Sequence, residues 1–349
     1  MPSTKLRDLF VVTLLVAIPA HGLEIRVQPD DHVYANRTEG RHSLYELVVH
    51  GVRLHNDSSE ALQLEWVDVR ASDDDGSQVI RRLLPRESRG AAATVEPGAD
   101  LDFGAIFLAS EFAPTRLEIT ARYLTGADGN EVATSIPVLI HEAEEGYGYP
   151  LQGSWYMRGI PSASSHHRWS LATEFAVDFF KVDAEGRISD GDRVDAGNYY
   201  GYGEPVLAAA DGVVEMVIRG MKQDRVARMR RTEESEEAYS ARMGELNQRA
   251  MQEHGLGGAT GNLIVLRHPN GERTAYGHLK SGSLEVAEGN EVTRGQIIAE
   301  VGDTGDSPAV HLHFQVMEGA AMRSIPFRFV GVRVLSHELG SWVEPDPAE

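Results

Sequence analysis

Short runs of Val, Leu, Ile and aromatic residues, separated by polar turn clusters, make up most of the first 140 positions of this chain. Leu44 to Leu54, Leu62 to Arg70, Leu101 to Leu108, Leu117 to Tyr123 and Ser135 to Ile140 read as strands. Between them stand Asn56-Asp57-Ser58-Ser59, Asp73-Asp74-Asp75-Gly76, Pro97-Gly98 and Gly126-Ala127-Asp128-Gly129, whose side chains favour tight turns. Strands at this spacing, with no helical segment among them, predict an immunoglobulin-like β-sandwich over residues 23–141. A polar, Gly-rich stretch closed by Pro150 predicts a linker over 142–152.

A second β-rich unit follows over 153–335, with strands expected at Glu174 to Val182, Pro205 to Arg219, Asn262 to His268, Arg273 to Leu279, Gln296 to Val301 and His311 to Met317. Residues 222–253 interrupt this pattern with a charged stretch that should be helical, an insertion between two strands. Gly244 predicts two shorter helices there rather than one. The insertion reads either as a lid or partner-binding arm or as a solvated excursion. Residues 336–349 are expected to form a C-terminal tail. The fold class is therefore mainly β, in two unequal units, as 349 residues allow.

The first 22 residues change the picture of location. Lys5 and Arg7 precede an apolar run from Leu9 to Ile18 and the exit Pro19-Ala20-His21-Gly22, the layout of a secretory signal peptide. The run is too short to span a bilayer comfortably, so no stable membrane span is expected after cleavage. The expected destination lies across the inner membrane, in the periplasm. The formal net charge of −20 argues against nucleic acid or an anionic membrane surface as a partner. The chain has no cysteine, which excludes thiolate ligands, thiol nucleophiles and disulfides, so any metal site must use histidine and carboxylates.

The candidate chemistry is concentrated in three segments. Strand alternation places His311 and His313 of His311-Leu312-His313-Phe314-Gln315 on one face, so that two imidazoles can converge. Tyr276-Gly277-His278-Leu279 and Ala176-Val177-Asp178-Phe179 each add one more polar group of zinc-site type. Together they suggest a metallohydrolase. A catalytic zinc takes three protein ligands of N or O type, and the pair His166-His167 lies shortly before Asp178 to supply one. By contrast, Asp73, Asp74 and Asp75 lack the spacing of a calcium loop and read as a solvated turn. His50, His55, His141, His254, His268 and His337 have no companion motif and read as structural or exposed. Asn262 opens a strand, where it either touches substrate or packs, and Gly302, Thr304 and Gly305 fit a tight turn before the HxH strand.

Residues 200–317 resemble the lysostaphin-type (LytM-like) zinc endopeptidases of bacterial cell walls. The matching stretches are Gly203 to Val214, Gly261 to Val265, Tyr276-Gly277-His278-Leu279, Gly295 to Gly305 and His311-Leu312-His313-Phe314, five motifs in family order. The resemblance implies a LytM-like antiparallel sheet, Zn2+ as cofactor and the peptide stems of peptidoglycan as substrate. Carried over by position, it implies Asp178 and His313 as metal ligands, with His278 and His311 catalytic beside the attacking water. The chain departs from the commonest pattern, which has a histidine four residues before the aspartate, where Glu174 stands. Some members bring the first histidine from a loop about a dozen residues upstream. His167, eleven residues before Asp178, is the first choice for that ligand, with His166 the alternative and Glu174 the third. The expected function is a zinc-dependent endopeptidase cutting peptidoglycan cross-links. Two alternatives stand beside it: a metal-free binding module that activates another cell-wall hydrolase, and a metallopeptidase acting on proteins.

Overall fold

The computed structural model describes residues 22–38, 44–85, 93–140, 146–159, 165–222, 225–337 and 340–345. The expected signal peptide, apart from Gly22, lies outside the described residues, as do His141 and residues 142–145 of the expected linker.

The mainly β class is borne out. Nine strands of the N-terminal part join in one sheet among the described residues, its two halves linked by the parallel pairing of Val33–Arg37 with Asp128–Ile140. Apolar side chains from both halves, including Val49 and Leu54 on one side and Leu64, Val69 and Ile119 on the other, share a single buried cluster, so the sheet encloses a core. Alternate residues of Leu62–Ser72 and Arg116–Thr125 point into it, as the period of two requires.

The C-terminal part is a ten-stranded sheet among the described residues. Its centre runs Gly212–Ile218, Asn262–Arg267, Arg273–Leu279, Leu312–Glu318, Val177–Phe180 and Trp155–Arg158. Phe314, fully buried, packs between Tyr276 on the neighbouring strand and Phe327 and Phe329 on the chain that follows. Each such aromatic contributes on the order of 1.5–3 kcal/mol through burial alone.

Several boundaries differ from the expectation, each for a visible reason. The strand expected over Glu174 to Val182 is confined to Val177–Phe180, because residues 171–175 turn and the Phe175 amide donates to Ser324 Oγ at 3.1 Å. The strand expected over Pro205 to Arg219 divides into Pro205–Leu207 and Gly212–Ile218, the first pairing with Ile297–Glu300 in a separate small sheet. Residues 146–152 pack rather than hang free: Tyr147 and Leu151 are buried, and Gly148 donates to the Ala209 carbonyl at 2.6 Å. At the other end Val332–His337 and Gly340–Pro345 form a hairpin whose second strand pairs with Trp155–Arg158, so the segment expected as a tail extends the sheet.

The insertion is helical, but not as two halves. After the short helix Arg225–Arg228, one helix runs from Glu236 to His254 straight through Gly244. Ser235 caps it, its Oγ accepting from the Ala238 amide at 3.1 Å, with Glu236 and Glu237 favourably placed in the first turn. Gly244 is exposed with open space around it, so continuity is maintained by its neighbours and not by the glycine. Replacing Gly244 by Ala should therefore stabilise this helix by about 0.5–1 kcal/mol. Slower amide exchange across 236–254 is the expected readout; a helix broken at Gly244 would show no gain.

Candidate metal centre

Three neighbouring strands bring the predicted residues together by register. Asp178 pairs directly with His313, and His313 pairs directly with Gly277, so one row crosses the sheet from carboxylate to imidazole to glycine. Residues opposite one another in an antiparallel pair present their side chains to the same face. His278 follows Gly277 and would point to the other face in a regular strand. Instead the pairing between Asn262–Arg267 and Arg273–Leu279 shifts register here, and His278 adopts φ +58°, which turns its ring back onto the site. His311 enters just before its strand through an isolated bridge to Gly302.

His166 and His167 arrive on a single 3-10 turn, His166–Trp169, capped by Ser165. His167 Nε2 lies 3.0 Å from Asp178 Oδ2 and the residue is buried. His166 Nε2 stands 3.6 Å from the same oxygen with its side chain 69% exposed. These two histidines and Asp178 form a group whose ligand atoms lie within 4.8 Å of one another. On the other side of the carboxylate, His313 Nδ1 is 3.1 Å and His311 Nε2 3.6 Å from Asp178 Oδ1. The His278 and His311 rings are neighbours, their centroids 4.6 Å apart.

The hydrogen bonds settle which nitrogen each ring offers. A carbonyl only accepts, so His278 Nδ1–H donates to Thr304 O at 2.8 Å and His311 Nδ1–H to Ala309 O at 2.8 Å. Both rings therefore turn Nε2 toward the site. Gln315 Nε2 donates to the Ala172 carbonyl at 3.2 Å, which leaves Gln315 Oε1 to accept from His313 Nε2–H at 3.1 Å. His313 then faces Asp178 with the lone pair of Nδ1. Two acceptors 3.1 Å apart repel unless a proton or a cation lies between them. One carboxylate and surrounding imidazoles, with no thiolate, are a donor set that fits zinc. His167, Asp178 and His313 would hold it, with His166 beside them.

The electrostatics agree with that arrangement. Burial raises the Asp178 carboxyl, but His311, His167 and His313 outweigh burial and hold it well below the usual carboxylate range. Burial pulls His313 down, and the hydrogen bond to Asp178 more than reverses this, so the ring is raised. Burial, reinforced by His311 and His313, pushes His278 well below its ordinary value; burial likewise lowers His311.

Residues 228–324 match the family description "Peptidase family M23". This chain carries a peptidase family M23 domain. The matched segment holds His278, His311 and His313, while His166, His167 and Asp178 precede it. Over 85 residues the chain is 40% identical to the DD-carboxypeptidase/endopeptidase Mpg of Neisseria meningitidis serogroup B, covering 24% of this chain and 18% of that protein. It is 42% identical over 59 residues to lipoprotein NlpD of Yersinia enterocolitica, covering 17% of this chain and 58% of the relative. Thus the chain spans about a fifth of the length of the first relative. Among solved structures, the catalytic domain of the antimicrobial peptidase lysostaphin from Staphylococcus simulans aligns over 52% of this chain and 85% of its own, at 23% identity and a TM-score of 0.26.

Some expectations take a different form in the structure. Glu174 is neither a member of the metal group nor an outward-facing residue: it is 2% exposed and ion-paired to Arg168 at 3.0 Å. Asn262 is fully buried, its amide donating to the carbonyls of Met221 and Leu279, so it fastens backbone. His268 is structural as expected, bonded to Asp211 O and Thr274 Oγ1 at 2.8 Å each. Tyr199 packs in the core beneath Arg225. The insertion reaches the site from behind: Arg225 is ion-paired with Asp303, and Arg228 and Asn247 both bond Asp306 at 2.6 Å. Residues 303–306 contain Thr304, whose carbonyl fixes His278.

Sequence reasoning missed Gln315, Ser307 and Arg168. Gln315 had a readable signal, since two residues beyond His313 on a strand is the same face. Ser307, 3.1 Å from His311 Nδ1, and Arg168 had none, because loop polar residues ordinarily face water.

Gly261 and Thr304 are in such close contact that a Cβ on Gly261 would lie 2.3 Å from the Thr304 carbonyl oxygen, at φ +66°. Gly261→Ala should cost at least about 2 kcal/mol in chemical denaturation and displace the acceptor of His278. A pH dependence also follows for the metal-free protein. His278 and His311 resist protonation when folded but titrate near 6.5 when unfolded, so at these two sites the unfolded chain binds more protons below that pH and stability falls as pH drops, against the single opposing contribution of the raised His313. Urea midpoints of chelator-treated protein should decline between pH 7.5 and 5.5. The His278→Gln variant should decline less.

Proposed function

We propose that this protein is a zinc-dependent endopeptidase that hydrolyses peptide cross-links of peptidoglycan. The observation that carries this reading is the meeting of His313 Nδ1 and His167 Nε2 on the two oxygens of buried Asp178, with His278 and His311 turned to the same point. That the chain carries an M23 domain, and that a relative is named DD-carboxypeptidase/endopeptidase, supports peptide-bond hydrolysis. The leader-like N-terminus supports action in the periplasm.

A bound zinc ion supplies Lewis-acid chemistry, acidifying a water and polarising the scissile carbonyl. The protein's own part is proton handling and charge stabilisation. His278 and His311 are neutral near pH 7, with Nδ1–H committed to carbonyls, so each presents a basic Nε2 to the attacking water. A ring that takes the water's proton can then give it to the leaving amine or stabilise the developing oxyanion. Phe180, stacked on His311 with the planes 16° apart, keeps that ring in orientation. Asp178, His167 and His313 remain as the anionic and neutral donors that hold the ion.

The replacement of the usual first histidine by Glu174 does not favour a metal-free module. Glu174 serves an ion pair elsewhere, and His167 and His166, both near Asp178, are available for the vacated role. Purified protein should contain one zinc per chain by elemental analysis. Asp178→Ala and His313→Ala should lose the metal, while His278→Ala and His311→Ala should keep it and lose on the order of 10²–10⁴ in rate on cross-linked muropeptides. Zinc-free protein with intact muropeptides would point to the binding module instead. Chelator-sensitive cleavage of casein with muropeptides untouched would point to a protein-directed peptidase.

A further inference from the structure

The residue after His167 leads out of the catalytic sheet. Arg168 is fully buried, and its Nη2 donates to the Glu46 carbonyl at 2.8 Å, on the N-terminal strand Tyr45–Asn56. Its Nη1 lies 3.0 Å from Glu174 Oε1, and Glu174 Oε2 lies 3.0 Å from His50 Nε2 on that same N-terminal strand. Beneath them Phe175 is covered by the Arg168 guanidinium, 5.1 Å from the ring centroid, and met edge-on by Tyr34 of the N-terminal sheet. Tyr34 belongs to the apolar core of the catalytic sheet. The two parts of the chain are thus joined by a buried arginine, glutamate and histidine centred one residue from a candidate ligand.

The turn that carries His166 and His167 has modest support of its own. Ser165 Oγ accepts from the His167 amide at 3.3 Å, and the His167 carbonyl accepts from the Ser170 amide at 3.1 Å. A single 3-10 turn held by such bonds is a weak frame for a ligand, since its hydrogen bonds are poorly directed and short runs fray readily. Arg168 adds an anchor beside it: Nη2 donates to the Glu46 carbonyl, and the buried guanidinium charge faces the Glu174 carboxylate at 3.0 Å as an ion pair without a directed hydrogen bond. A buried ion pair is poor evidence of added stability, but it specifies geometry strongly, because separating its members leaves an uncompensated charge away from water.

We propose that the N-terminal sheet is a working part of the metal centre: the strand Tyr45–Asn56 holds the His166–His167 turn in place through Arg168, Glu174 and His50, and the affinity for metal depends on that hold. The proposal rests on the zinc reading above. Arg168, Glu174 and His50 are positioning residues, acting on the ion through His167. It follows that the catalytic sheet separated from the N-terminal sheet would have a loosened site, the reverse of what a merely blocking domain would give.

The test uses the full chain with Glu174→Gln, Arg168→Lys and His50→Ala, and His55→Gln as a control on the same strand, where His55 pairs with Asp100 and not with the catalytic sheet. Two quantities are read: amide exchange of residues 165–170 in the metal-free chain, and the zinc dissociation constant by competition with a chromogenic chelator. Glu174→Gln and Arg168→Lys should speed exchange in the turn at least tenfold and weaken zinc binding by about 10–100-fold, while the control changes neither. His50→Ala, which removes one hydrogen bond, should shift both in the same direction by less, and it carries the comparison if Glu174→Gln fails to fold. Unchanged exchange and unchanged affinity in all three variants, with wild type binding zinc, would overturn the proposal and leave the peptidase reading intact. A wild-type chain that takes up no zinc defeats the peptidase reading by its own measurement. Exchange in the metal-free variants still decides whether the strand holds the turn.

Discussion

Asp178 is almost wholly removed from water, and a carboxylate in such a place persists only where positive charge or donors meet it. Four imidazoles stand within 3.6 Å of its two oxygens, delivered by separate parts of the chain. Burial pulls all three neighbouring rings down; only for His313, hydrogen-bonded to the carboxylate, does this charge outweigh burial and raise the ring, while His278 and His311 stay lowered. The same geometry that needs a proton in the metal-free protein would suit a cation in its place.

The rest of the fold serves to keep that meeting in register. An antiparallel ladder sets Asp178 across from His313 and His313 across from Gly277, so no loop is needed to align the carboxylate with its first imidazole. His278 and His311 depend on irregular backbone instead. His278 relies on a register shift, a positive φ and the Thr304 carbonyl, and that carbonyl relies on a glycine at 261 and on the insertion's arginines behind it. Strain of this kind is held by surrounding contacts, which places the helical insertion within the support of the site.

The N-terminal sheet enters the same chain of dependence from the opposite side. Arg168 and Glu174 could not be buried at the edge of an isolated catalytic sheet without exposing or stranding their charges, and the strand Tyr45–Asn56 supplies the missing partners. The two parts of the chain share an apolar contact at Tyr34 and Phe175 as well as this ionic one. The candidate metal site and the domain packing are thereby linked through adjacent residues, His167 and Arg168.

The sequence by itself determined the strand-rich class and the helical nature of the insertion, and it singled out Asp178, His278, His311 and His313, which the fold brings together, because strand period, turn composition and the HxH spacing are local properties. Local pattern also narrowed the upstream ligand to adjacent histidines. It put His167 ahead of His166 without showing which is buried, because a 3-10 turn points neighbours in different directions and only packing buries His167 and leaves His166 exposed. Nor could it foresee the uninterrupted helix through Gly244, where neighbouring residues outweigh one weak helix former. Glu174 is the sharpest case. In sequence it looks like a substituted ligand on a strand flank. Only the tertiary structure, by bringing a strand from the other end of the chain to within 3.0 Å, made it a buried counter-ion instead. Contacts between residues more than a hundred positions apart leave no periodic trace in either segment, and that is why they were decided by the fold alone.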